Sequence, residues 1–269
     1  MVLEYISKAW KIYKKNAFSF IAAELIPSLI TGLLIFMGFI IFLGSLLPVI
    51  DWDIIISTTN EEVLRNYFIG LFSNKEFLTQ LINGAIGFGG FLIISILVSI
   101  YLGIGQVGMA YESLRGKTRV KTMFKVSKKL GFRWILTILL LSIFGIIALI
   151  PLAILTIFTL GLGIFFIISF FVLIAPSMVA DNSSPMQSIK NSFNCAKRNY
   201  WDLFFLCVIY FVGIVVVSFL GLMFSVIPFI GWLIDIFASL FISFAVIPMI
   251  KISFVDYYVK NRKNSNKEI

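Results

Sequence analysis

Of 269 residues, 60% are hydrophobic and 13% charged, with a formal net charge of +9 and a mean hydropathy of +1.03, against about 25% charged in an ordinary soluble domain. That balance excludes a soluble globular domain, and the absence of ten-residue segments alternating apolar and polar excludes a transmembrane β-barrel. With no histidine in the chain, Ser-His-Asp and Cys-His catalysis, His-ligated metal sites and His-based pH sensing are excluded as well.

The first sixteen residues are basic and amphipathic, and the apolar stretch that follows, Ala17 to Ile50, exceeds the 7 to 15 residue core of a cleaved signal peptide, so this terminus is expected to be retained. Apolar runs longer than the roughly 20 residues that cross a hydrocarbon core predict six spans, at about 18–48, 86–111, 134–158, 161–180, 203–228 and 231–250. Between the first two lies an acidic amphipathic loop, residues 51–84, read as an interfacial helix or a cap over the outer face. The third and fourth spans are separated only by "TIFTLGLG", and the fifth and sixth by "VIPFIGW", which predicts two tight hairpins. Residues 1–16, 112–133, 181–202 and 251–269 hold 20 of the 22 Lys and Arg residues. The positive-inside rule therefore puts both termini in the cytoplasm, with a polar tail at 259–269.

The basic segments share a spacing. Trp10 precedes Lys14 and Lys15, Phe124 precedes Lys128 and Lys129, and Phe193 precedes Lys197 and Arg198, with Ile6, Val120 or Ile189 four residues before each aromatic. In the third copy Met186, Ile189, Phe193, Ala196 and Tyr200 recur at helical intervals, predicting an interfacial helix with its apolar side toward the membrane. Its start, "SPMQ", supplies Ser184 as N-cap, Pro185 as first helical residue and Gln187 as capping-box partner. The expected architecture is an all-α polytopic membrane protein: one integral domain of three tandem helical hairpins, each preceded by a basic amphipathic helix, in repeat units of about 2–113, 120–181 and 185–258. Such parallel units imply a pseudo-threefold axis along the membrane normal. Mitochondrial carriers share the hairpin count, but their Pro-x-Asp/Glu-x-x-Lys/Arg signature is absent from the odd spans.

Gly103, Gly105 and Gly108 spell Gly-x-Gly-x-x-Gly, yet a dinucleotide fingerprint needs a strand before it, and this one lies inside the second span. These glycines are read instead as permitting close helix approach, with Gln106 as an interhelical hydrogen-bonding group. Glu24 has two readings. A carboxylate at mid-membrane marks a functional site, whereas a break at Pro27 would leave it on an interfacial elbow near Lys14 and Lys15. Asp235 is placed near the outer interface, and Glu112 with Arg115 is read as a helix-end ion pair. Cys195 and Cys207, twelve residues apart, would lie about 18 Å apart along one helix, too far for a disulfide, and are read as packing residues. The paired bases Lys14, Lys15, Lys128, Lys129, Lys197 and Arg198 are candidates for anchoring on lipid headgroups, each contributing about 1 kcal/mol near an anionic surface.

The stretch "FFVLIAPSMVADNSSPMQSIKNSFNCAKRNYWDLFF", residues 170–205, resembles the YciC-like membrane proteins and the membrane domain that precedes glycerophosphodiester phosphodiesterases in some bacteria. Ala175 and Pro176 match that group's span-ending pair, Ser192 and Phe193 stand in its Ser-Trp place with Phe for Trp, and Lys197, Arg198 and Asn199 match its basic end. The opening "EYISKAWKIYKKN" is similar too. The resemblance implies a six-span domain of the inner or plasma membrane with cytoplasmic termini and no assigned reaction; after the sixth span only "KISFVDYYVKNRKNSNKEI" follows, without the phosphodiesterase.

These readings lead to a non-enzymatic membrane protein that binds or moves a lipid or other amphiphile, with membrane lipids as partners, no nucleic acid, and no catalytic, cofactor or metal site. An ion or small-solute pore using Glu24, Gln106 and Asp235 is the alternative, followed by a scaffold docking a second copy or another membrane protein.

Overall fold

The computed structural model describes residues 2–159, 162–224 and 230–262. Among the described residues all regular structure is helical. In chain order the helices are α1 (Val2–Leu46), α2 (Trp52–Ser57), α3 (Glu61–Ser73), α4 (Lys75–Ser113), α5 (Val120–Phe158), α6 (Leu162–Phe171), α7 (Ile174–Asp181), α8 (Pro185–Arg198), α9 (Tyr200–Phe224), α10 (Ile230–Phe241) and α11 (Ile247–Arg262). A π-helical turn, Ile242–Val246, joins the last two. The turns expected at "TIFTLGLG" and "VIPFIGW" fall partly outside the described residues, as does the tail beyond Arg262.

Among the described residues, six helical segments are long and apolar enough to cross a membrane, the number predicted. Each leaves large apolar side chains exposed, for instance Leu33, Ile93, Phe144, Ile168, Phe219 and Phe237. Apolar area left in water costs about 25 cal/mol per Å², so a surface of this kind is stable against lipid tails and not against water.

Helix ends follow local chemistry. Asp51 caps α2 by accepting from the backbone N–H of Asp53 and Ile54, Asn60 caps α3, and the Asn74 side chain accepts from Glu76 N at the start of α4. Asn182 stops α7 in the left-handed conformation, φ 51°, a geometry that Asn tolerates better than most residues. The break at Pro27 that one of the two readings of Glu24 requires does not occur, because α1 runs through it without interruption. Proline removes the N–H that would bond the carbonyl four residues back, here Ala23, and that carbonyl instead accepts from Gln106 Nε2 at 2.8 Å. A side chain from another helix thus repairs the ladder where the proline opens it.

Nor are the three basic segments alike as elements. The first two are continuous with the spans that follow them, in α1 and α5, and only the third is a separate helix, α8, bounded by Pro185 and Asn199. Its capping box does not form: Ser184 has extended N-cap backbone but its hydroxyl caps nothing.

The chain divides into two compact units, Ile26–Ser99 and the remainder, Met1–Leu25 with Ile100–Ile269; α1 and α4 contribute to both. Within Ile26–Ser99, α1 and α4 approach closely where Gly38 faces Phe91; a Cβ there would lie 2.8 Å from the Phe91 Cβ. The acidic loop in this unit folds into α2 and α3, with the Asp51 N–H donating to the Tyr67 hydroxyl at 2.6 Å.

The larger unit is built around α11. Residues 252–258 are buried on every side, the pattern of a central helix. These turns form core with Tyr5 of α1, Leu173, Cys195 and Ala196 of the α7–α8 region, and Leu203, Leu206 and Tyr210 of α9. Close packing of α4 on α5 uses Gly105, where a Cβ would collide with the Met123 carbonyl and the Ser127 hydroxyl, and Gly108, where it would lie 2.6 Å from Val126. Gly103 has open space above it and takes no part.

Candidate functional site

Two polar constellations stand out in the larger unit. The first sits among apolar helices. Lys251 Nζ of α11 donates to Glu24 Oε1 of α1 and to Gln106 Oε1 of α4, both at 2.5 Å, while Gln106 Nε2 donates to Glu24 Oε2 at 3.0 Å and to the Ala23 carbonyl. Gln106 is buried, and the Lys251 and Glu24 side chains are 19% and 15% exposed. A charge in an apolar setting is tolerated only when paired and hydrogen-bonded, and the three residues meet that condition by closing a triangle. The arrangement ties α1, α4 and α11 at one point.

The second is a cleft of about 760 Å³ between the α7–α8 turn, α8 and the end of α11. One wall is a single face of α8: Ser184, Gln187, Asn191, Asn194 and Arg198 all line it, at intervals of three and four residues, which places them on one stripe of the helix. The other wall carries Asp181, Tyr258, Asn261 and Arg262. Asp181 is held by three donors: the Tyr258 hydroxyl, the Arg262 guanidinium, and, more loosely at 3.5 Å, the Asn191 amide. Behind the α8 wall small residues let α7 and α8 pack closely. Ser177 donates to the Ser188 carbonyl at 3.0 Å, the Ser183 and Ser188 hydroxyls share a bond of 2.6 Å, and Ser192 donates to the Phe170 carbonyl at 2.5 Å. The first half of the wall is therefore fixed by these bonds at Ser188 and Ser192. Among the described residues, the side chains of Ser184, Gln187 and Asn194 have no protein hydrogen-bond partner, leaving their donors and acceptors to the cleft.

Cys195 reaches the same cleft, and burial pushes its thiol up to about 12. It is free and buried, as is Cys207, which is the packing role expected of both, although they lie on separate helices, α8 and α9. Held protonated, Cys195 is no nucleophile. Among the described residues, no group of three or more His, Cys, Asp or Glu could hold a metal ion.

Of the residues singled out in the sequence, Glu24 and Gln106 meet each other. Asp235 lies apart from them, exposed, against Gly221 of α9, where its Oδ1 stands 3.2 Å from the position a Cβ would take. Glu112 and Arg115 are not a pair. The carboxylate accepts from the Thr118 and Thr122 hydroxyls at 2.8 and 2.5 Å, and the guanidinium donates to the Tyr111 hydroxyl at 2.7 Å. Lys14, Lys15, Lys128, Lys129, Lys197 and Arg198 are all exposed. Lys14 stacks over Trp10 at 4.8 Å, and Arg198 alone of the six lines the cleft.

The aligned positions share an environment. The aromatics Trp10, Phe124 and Phe193 are exposed, the residue before each (Ala9, Met123, Ser192) is fully buried, and the residue three after each (Tyr13, Ser127, Ala196) is buried. The large apolar residues Met186 and Phe193 of α8 face outward, whereas Ala196, expected on the membrane side, is small enough to join Ser188, Ser192 and Cys195 on the core face.

Sequence reasoning passed over Lys251 and Asp181. Lys251 was grouped with the inner cations, yet apolar Ile252, Phe254 and Val255 continue beyond it, a signal that it stands inside an apolar run. The polar stripe of α8 was equally legible by the same helical spacing that picked out its apolar face. No protein-family model, curated protein or solved structure matches the chain.

Proposed function

We propose that this protein is a non-enzymatic, multi-pass protein of the cell membrane that binds an amphiphile, its polar headgroup in the cleft beside α8. The observation that carries the reading is the cleft itself: a recess of about 760 Å³ lined by hydrogen-bonding side chains and two arginines, attached to helices whose outer faces are apolar. A lipid-facing exterior next to a polar recess is the arrangement an amphiphile needs, since headgroup and tails seek opposite environments. By the positive-inside rule the recess belongs to the cytoplasmic face, because 181–202 and 251–269 are among the cation-rich segments. The resemblance to YciC-like membrane domains points the same way, by analogy only.

The shared burial pattern of the three basic segments supports an internal repeat of three hairpins, with Phe193, Trp10 and Phe124 turned toward the interface. Protein purified in mild detergent and transferred to native mass spectrometry is expected to retain lipid, and Arg198→Ala to retain less. Wild-type protein that carries no lipid and does not alter lipid exchange between liposomes refutes the reading.

One observation favours a second reading, a solute or ion path: the Glu24–Gln106–Lys251 triangle among apolar helices, since intramembrane charges mark such paths. Its test is solute flux in proteoliposomes, and a Glu24→Gln protein that folds and conducts like wild type removes it.

A further inference from the structure

The basic residues are not neutralised alike. On α1 and α11 several pair inside the protein: Lys8 with Asp256, Lys260 with Glu4, Lys251 with Glu24, and Arg262 with Asp181 of α7. Between Glu112 and Asp181 the sequence has no acid, and Glu112 is taken by the Thr118 and Thr122 hydroxyls. Lys117, Arg119, Lys121, Lys125, Lys128 and Lys129 are all exposed, and among the described residues none has an ion-pair or side-chain hydrogen-bond partner. The display is also rigid. Asn16 of α1 accepts from the Thr118 N–H at 2.9 Å and donates to the Gly116 carbonyl at 3.3 Å, and Ser19 donates to the Thr118 carbonyl at 3.0 Å, so α1 holds the turn between α4 and α5. Gly105 and Gly108 then seat α5 closely on α4 at Met123 and Val126. Cations fixed in this way lose little freedom when they meet a ligand.

Position decides between a membrane surface and a partner in water. Helix α5 runs unbroken from Val120 to Phe158, and its apolar part begins at Trp134, so Arg133 marks the hydrocarbon boundary. Lys121 lies about 18 Å from Arg133 along the axis at about 1.5 Å per residue. Even at a tilt of about 40° it stands about 14 Å above that boundary, whereas one headgroup layer is about 5–8 Å thick. A tilt that leans Phe124 onto the interface turns Lys125 and Lys129, about 100° and about 140° further round the helix, to the water side. The geometry points to the first turns of α5 and the turn before them as a docking surface for an acidic segment of a water-soluble protein on the cation-rich, cytoplasmic side. Lys121, Lys125 and Lys129 follow one another at about 6 Å along the axis, the spacing of carboxylates three or four residues apart on a partner helix. This surface is separate from the cleft beside α8 and does not depend on what the cleft holds.

The full chain in phosphatidylcholine nanodiscs is titrated at physiological salt with a fluorescein-labelled peptide carrying glutamate at every third or fourth position, and with the same peptide carrying glutamine there. The glutamate peptide is expected to bind about tenfold more tightly or better. Lys121→Glu/Lys125→Glu should weaken it about tenfold, through the loss of two ion pairs and the repulsion that replaces them. Lys11→Glu/Lys190→Glu, exposed cations elsewhere with the same change of net charge, should alter it by less than about twofold. In a Cys195→Ser/Cys207→Ser protein, a nitroxide attached through Lys121→Cys should be relaxed by a water-soluble nickel chelate and not by nickel carried on a lipid headgroup. A glutamate peptide that binds no better than the glutamine one, or equal weakening by the two double variants, overturns the docking surface. Relaxation of the nitroxide by the headgroup nickel overturns it as well, and assigns these cations to the membrane surface instead. The comparison of the two peptides on wild-type protein decides the matter even if a charge-reversed variant fails to fold.

Discussion

The bond from Gln106 to the Ala23 carbonyl makes a non-additive prediction. Pro27 cannot return an N–H to that carbonyl, and Ala23 is 1% exposed, so no solvent replaces the missing donor. In Gln106→Leu the carbonyl loses its 2.8 Å partner. A buried acceptor left unmatched costs about 1–3 kcal/mol, in addition to what Glu24 and Lys251 lose. In Pro27→Ala the new N–H at 27 can reach Ala23 along the helix, and because a carbonyl has two lone pairs it accepts this bond without giving up Gln106. Pro27→Ala alone is thus expected to be neutral or stabilising, and Gln106→Leu in the Pro27→Ala background is expected to cost about 1–2 kcal/mol less than in wild type, well above the about 0.3–0.5 kcal/mol scatter of independent sites. The cycle is read from reversible unfolding in mixed detergent and SDS micelles, with helicity followed by circular dichroism. Four proteins whose stabilities add within that scatter would show that the amide is not standing in for the proline's missing donor.

Three further outcomes follow from the same contacts. Lys251→Met strands the Glu24 carboxylate and should cost about 3–5 kcal/mol, whereas Glu24→Gln/Lys251→Met removes both charges and should be the more stable of the two; the reverse order in the same unfolding assay refutes the ion pair. Gly105→Val must displace the Met123 backbone and should destabilise by about 1–3 kcal/mol, while Gly103→Ala, with open space above it, should leave the melting temperature unchanged or slightly raised. Burial holds the Cys195 thiol up at about 12, so at pH 8 the thiolate is scarce in the folded state and makes up about a quarter of the unfolded one. Maleimide labelling of a Cys207→Ser protein should be slow in mild detergent and fast in SDS, and should quicken as pH rises. Equal rates in the two detergents contradict the buried placement.

Membrane residence, the number of spans and the all-helical class were readable from the chain alone, because apolar runs of span length separated by charge clusters admit few other structures. Gln106 and Glu24 were legible for a related reason: an isolated polar residue in an apolar run has to find a partner. The sequence could not name that partner. Lys251 lies 227 positions from Glu24 and 145 from Gln106, and the apolar residues that continue beyond it do not say which helices it meets. Pro27 shows the same limit from the other side. Its effect on α1 depended on whether another helix could serve the Ala23 carbonyl, which local propensity does not encode.

The α8 segment shows where sequence and fold divided the work. Helical spacing alone determined both of its stripes, the outward Met186, Ile189 and Phe193 and the polar Ser184 to Arg198. Only the tertiary structure decided that the polar stripe faces α11 across a cleft while small residues take the core side, because that choice is made by close packing against α7 and by the anchoring of Asp181 with Tyr258 and Arg262, contacts that span 77 and 81 positions of chain. Patterning fixes what each face of a helix can do, and the partner that each face meets is a property of the packed whole.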